Sequence, residues 1–139
     1  MRDPNRLRVA EAALRVAELT YDVTRRLPLD ERAGLSLQMR RAAISIGSNI
    51  TEGCGRSTDR QFLSFLQIAM GSACELEFQC RVATRLSLAD ESRLKALREA
   101  IISTKRMLTK LSSHVKENSH READGCAPTR KAAQRAAAP

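Results

Sequence analysis

Aromatic side chains are scarce in this sequence: no Trp, one Tyr and three Phe among 139 residues. Glycine and proline are few as well, six and four, and they sit at the breaks between periodic segments. Ala, Leu, Arg and Glu dominate instead, and all four are strong helix formers. No apolar run reaches the length that a membrane-crossing helix needs, and the stretch after Met1 lacks the apolar core of a signal peptide. The cytoplasm is therefore the expected compartment, with no membrane partner. The four cysteines, Cys54, Cys74, Cys80 and Cys126, form no Cys-x-x-Cys pair and meet no paired histidines. That excludes the spacing of a zinc site. In a reducing compartment they stay free thiols, and the apolar neighbours of Cys74 and Cys80 mark these two for burial.

Catalytic signatures are missing too. His114 and His120 stand alone near or past the end of the last periodic segment, the reading expected of exposed histidines. Ser, Cys and carboxylate residues are scattered, without a triad or a paired-acid arrangement. Gly53-Cys54-Gly55 is not followed by Lys-Ser/Thr and is not preceded by a strand, so it is no phosphate loop. The chain reads as a non-enzyme with no cofactor and no metal.

What is present is helical periodicity and positive charge. The length suits one domain with its own core. The first helix is expected over about Asn5–Leu27, with a seam of Leu7, Ala10, Leu14, Ala17, Tyr21 and Thr24, and Pro28 as its stop. The second follows Asp30 and runs to about Glu52, with Leu35, Met39, Ala42, Ile46 and Ile50 inside and Gly53 and Gly55 ending it. The third starts at Ser57 or Thr58 and buries Phe62, Leu66, Ala69, Ala73, Leu76, Cys80 and Ala83; Phe65, Met70 and Phe78 widen its apolar arc. The fourth follows the capping pattern Ser87-Leu88-Ala89-Asp90 and carries Leu94, Leu97, Ile101, Thr104, Leu108, Leu111 and Val115. Four helices with short connections make an all-α, antiparallel up-down-up-down four-helix bundle over residues 5–115. Residues 116–139 lose the apolar period and read as a disordered basic tail.

One segment carries a family likeness. Gln38-Met39-Arg40-Arg41-Ala42-Ala43 is followed by Ser45-Ile46-Gly47-Ser48-Asn49-Ile50-Thr51-Glu52-Gly53. Then come Gly55-Arg56, Ser57-x-Asp59, Phe62-x-x-Phe65-Leu66, Ala69-x-Gly71-Ser72 and Glu75-Leu76-Glu77. This order of motifs, within a likeness running from about Val16 to Val115, resembles the bacterial four helix bundle protein family. Its members include proteins encoded in intervening sequences of large-subunit ribosomal RNA genes. The chain departs from the family pattern at Gly47, where Pro is usual, and at Cys54, where an aromatic is usual; neither change alters the expected fold. The family is similar in architecture to the accessory variability protein of diversity-generating retroelements, a ring, typically pentameric, that works with a reverse transcriptase and nucleic acid. The resemblance implies a homo-oligomer, a pentamer by that analogy, associated with nucleic acid. It brings no catalytic residues.

The net charge of +8 points the same way, toward acidic partners and above all nucleic acid, RNA or DNA. In an up-down bundle the start of helix one, the end of helix two, the start of helix three and the end of helix four share one end. Arg6, Arg8, Arg56, Arg60, Lys105, Arg106 and Lys110 are the nucleic-acid candidates there. Arg40 and Arg41 join them as phosphate contacts, with inter-subunit ion pairs to Glu75 or Glu77, the favoured alternative, and plain solvation as the competing readings. Asn49, Glu52, Phe65, Met70, Glu75 and Phe78 are the candidates for a subunit interface; Asn49 and Glu52 are read first as local ties at the end of helix two. Glu11–Arg15, Asp22–Arg26 and Glu77–Arg81 are spaced as i,i+4 surface pairs. The alternative function is a protein-interaction or oligomerisation module that binds no nucleic acid.

Overall fold

The computed structural model describes residues 2–125, helical almost throughout. A 3-10 turn at Pro4–Arg6 leads into α1 (Arg8–Thr24), and a second at Leu29–Glu31 precedes α2 (Leu35–Cys54). Helices α3 (Asp59–Arg85) and α4 (Glu91–Gly125) follow. Each helix packs on its neighbours in sequence, and α1 also packs on α4, which closes a square with no diagonal packing among the described residues. The expected up-down-up-down bundle is the observed one.

Local chemistry sets the helix ends. Asp3 accepts from the Asn5 N–H at 2.9 Å and holds Pro4–Arg6 in a 3-10 turn, so α1 begins at Arg8 and not at Asn5. Glu31 accepts from the Leu35 N–H at 3.3 Å, so α2 begins there, five residues past Asp30. Thr58 caps α3 by accepting from Gln61 N–H at 3.2 Å. Asp90 caps α4, accepting from the Ser92 and Arg93 N–H groups at 2.7 and 3.3 Å. Ser87 has another role. Its φ of 52° is left-handed; the N–H of Ser87 donates to Thr84 O and that of Leu88 to Ala83 O. This pair of bonds is a Schellman motif with serine where glycine is usual.

The seams expected of α3 and α4 are the buried ones. Phe62, Leu66, Ala69, Ala73, Leu76, Cys80 and Ala83 are within 1% of complete burial, and Leu94, Leu97, Ile101 and Leu108 are fully buried beside Thr104. In α2, Met39, Ala42, Ile46 and Ile50 are buried with Leu35 packed at the edge. In α1 the expected seam is displaced. Thr24 is buried as read and Leu7, Ala10 and Ala17 pack at the edge of the core, but Val9, Ala13, Val16, Thr20 and Val23 face inward, whereas Leu14 and Tyr21 are 61% and 40% exposed. Both stripes have three/four spacing. α1 passes α2 at Ala13 and Gly47, where an added Cβ would make ordinary contact with Ala13 Cβ at 3.7 Å.

The packed part of α4 ends at Val115, as expected, but the helix does not. It continues to Gly125 with largely exposed side chains, so residues 116–125 are helical rather than tail. Helix formers such as Glu117, Arg121, Glu122 and Ala123 carry it on beyond the core. The remainder of the expected tail, with Cys126, lies outside the described residues.

Two substitutions test these contacts. A Cβ at Gly53 would stand 2.9 Å from both Phe62 Cδ2 and Phe65 Cβ. Gly53→Ala should therefore destabilise the fold by about 1–3 kcal/mol in urea unfolding; a neutral result would contradict the close packing. Ser87→Gly should stabilise it by about 1 kcal/mol, by relieving the left-handed backbone.

Candidate interaction surfaces

The basic residues divide into those tied to carboxylates and those left to solvent. At the end of the bundle favoured for nucleic acid, several are tied. Arg2 is paired with Asp59 and lies over the Phe62 ring at 4.3 Å. Arg56 is paired with Glu52 and lies 4.9 Å over Phe65. Arg6 is 3.7 Å from Asp3, and Lys105 donates to Glu77 at 2.5 Å, which holds the ammonium above the usual lysine pKa. Arg8, Arg41, Arg60, Arg106 and Lys110 are exposed and form no ion pair among the described residues. The Asp22–Arg93 contact (2.5 Å) sets the register between α1 and α4. In that antiparallel register Arg8 comes level with Met107 along the bundle axis, with Arg106 and Lys110 within a turn of that level.

Arg40 and Arg41 part company. Arg40 turns toward α1, donating from Nε to Thr24 Oγ1 at 2.8 Å with its guanidinium 4.5 Å over the Tyr21 ring. Within one subunit Glu75 accepts from Gln79 and Glu77 from Lys105, and neither meets Arg40 or Arg41. Of the expected i,i+4 pairs, Asp22–Arg26 forms at 3.4 Å. Arg15 chooses Glu18 over Glu11, and Glu77 is taken across the groove by Lys105. Asp22 is shared by Arg25, Arg26 and Arg93. Arg32, Arg81, Arg85 and Lys95 also stand without ion pairs among the described residues.

The expected interface residues lie mostly on the α2/α3 side. Asn49 donates back to Ser45 O at 2.8 Å and to its hydroxyl at 3.0 Å, and Ser45 and Ser72 hydroxyls meet at 2.8 Å. Asn49 is thus a local tie, as is Glu52 through Arg56. Phe65 and Met70 are half-buried, whereas Phe78 is 62% exposed. The longest exposed apolar surface lies elsewhere. Leu14, Tyr21, Leu29, Leu37 and Ile44 flank three clefts along α1 and α2. Two of these clefts share Ile44, and two share Leu37 and Arg40, so they form one groove. The signal for this groove was in the sequence, in the second apolar stripe of α1, but it was read as core.

Titratable chemistry is sparse. Burial raises the Cys54 thiol and pushes that of Cys80 up to about 12, while Cys74 is exposed, against the expectation of burial. No cluster able to hold a metal is found among the described residues, and no helix is long and apolar enough to cross a membrane.

Comparison with known proteins places this geometry. The family model described as 23S rRNA-intervening sequence protein matches residues 5–110. No curated protein sequence matches the chain. The fold is similar to the 1.70 Å crystal structure of a protein of unknown function from the S23 ribosomal protein family of Bacteroides thetaiotaomicron VPI-5482. The identity is 22%, the alignment covers 75% of this chain and 97% of that one, and the TM-score is 0.69.

Two measurements check these surfaces. Of Cys54, Cys74 and Cys80, only Cys74 should react with a thiol reagent in the native protein at neutral pH; early labelling of Cys80 would contradict its burial. Asp22 is held below the ordinary aspartate value of 3.8, chiefly by the hydrogen bond from Arg93. Its stabilising effect is present above that value and disappears as pH falls through the lower folded value. Asp22→Asn should therefore flatten the acid side of the stability curve below about pH 4; an unchanged acid side would contradict the shared pairing.

Proposed function

Because the chain belongs to the 23S rRNA-intervening sequence protein family, we propose that it is a non-enzymatic homo-oligomer that binds nucleic acid through phosphate contacts. The observation that carries this reading is the set of solvent-facing cations without carboxylate partners. Arg8, Arg106 and Lys110 are exposed at one level of α1 and α4, with Arg41 and Arg60 exposed on α2 and α3. Phosphate contacts depend on such cations, because a cation already neutralised by a carboxylate adds little net charge to displace the counterions condensed on the polymer. Arg6, Arg56 and Lys105 contribute less, since each already has a carboxylate beside it.

The oligomer is a ring of identical subunits, pentameric by analogy with the retroelement accessory protein, whose role beside a reverse transcriptase is the proposed context. An apolar groove left open on a small bundle favours a partner, and a second subunit is the simplest one. In a ring these cations are repeated on every subunit, and weak contacts add through multivalency. A second reading, a protein-interaction module that binds no nucleic acid, is favoured by the same groove, since its apolar lining fits a protein partner and not a phosphate backbone.

The test is binding of a generic RNA and DNA duplex across a salt series. Affinity should fall steeply with salt, and Arg106→Glu with Lys110→Glu should reduce the slope of log K against log salt by about one per lost phosphate contact. Salt-insensitive binding, or none to either polymer, would leave the interaction module as the better reading.

A further inference from the structure

The cleft between the end of α1 and the start of α2 contains three arginines, Arg25, Arg32 and Arg40, and no carboxylate lines it. Its volume is about 490 Å³, enough for a small ligand. Arg40 is set in place before any ligand arrives. Its stem is held by the Thr24 hydroxyl and its guanidinium by the Tyr21 ring, and its terminal N–H groups have no partner among the described residues. Arg32 forms no ion pair among the described residues. Arg25 has only the longest contact to the shared Asp22, at 3.9 Å.

Two further observations point to an anion here. Ser36 lines the cleft, and its hydroxyl makes no hydrogen bond among the described residues. The hydroxyl is open to the cleft and free to meet a ligand oxygen. Ser36 is also the second residue of the 20-residue α2. Glu31 takes the Leu35 N–H and Gly34 O takes that of Gln38. The N–H groups of Ser36 and Leu37 have no acceptor among the described residues, and the helix dipole adds positive potential beside them.

We propose that this cleft is a binding site for a phosphate monoester, borne by a free phosphate, a nucleoside monophosphate or the 5′ end of a strand. The phosphate oxygens accept from Arg32, Arg40 and the Ser36 hydroxyl, and Leu29 and Leu37 provide an apolar wall for the ligand's body. The site stands independently of the proposed nucleic-acid contacts, whose cations lie outside the cleft.

The experiment is an amide-resolved NMR titration of the full chain with inorganic phosphate, adenosine monophosphate and adenosine. The expected result is a saturable shift of the Ser36 and Leu37 amides with phosphate and the monophosphate, and none with adenosine. Arg32→Gln should weaken this binding about tenfold or more, while Arg81→Gln, outside the cleft, leaves it unchanged. An RNA with a 5′ phosphate that binds more tightly than its 5′-hydroxyl counterpart, with the difference lost in Arg32→Gln, assigns the strand end as source. Equal binding of the two RNAs beside a clear response to the monophosphate assigns the small molecule. Unmoved Ser36 and Leu37 amides at millimolar phosphate, or equal effects of the two arginine variants, would overturn the site.

Discussion

The close approach of α2 and α3 is the constraint on which the rest of the bundle depends. These two helices share the most extensive packing of any pair, and small residues let them meet. Gly53 leaves room for Phe62 and Phe65, and Ser45 meets Ser72 across the interface. Once Phe62 and Phe65 are fixed, Arg2 and Arg56 find rings to lie over and carboxylates to pair with. Arg2 and Arg56 are therefore structural, and the charge available to a partner sits on cations that face solvent without a carboxylate, Arg41 and Arg60 among them.

That division explains why a net charge of +8 does not translate into a uniformly basic surface. Arg2 and Arg56 serve the fold; Arg8, Arg41, Arg60, Arg106 and Lys110 face solvent. Arg25, Arg32 and Arg40 gather instead where α1 turns into α2, and there a single aspartate, Asp22, is divided among three arginines. Potential accumulates where acids are outnumbered locally, and the connection between helices decides where that happens.

Much of the fold was legible because in α3 and α4 only one stripe is continuously apolar. Phe62 to Ala83 and Leu94 to Val115 leave no competing register, and both seams are buried as read. α1 has two such stripes. The stripe with Val9, Ala13 and Val16 faces the core, while Leu14 and Tyr21 remain outside. Spacing along one helix carries no information about a neighbour that has yet to be placed. The pairing of Arg93 with Asp22, the capture of Glu77 by Lys105 and the stacking of Arg40 on Tyr21 were invisible for the same reason. The length of α4 was missed because helical propensity continues past Val115 after the apolar period has ended. Of the candidate site residues, the sequence located the cations correctly on the helices but could not separate those held by carboxylates from those facing solvent.

The most direct test of the central claim is light scattering coupled to gel filtration, run on the purified chain with and without nuclease and at low and high salt. The account predicts a stable multimer at both salts that carries nucleic acid at low salt and sheds it at high salt or after nuclease. A monomer free of nucleic acid under every condition would contradict it.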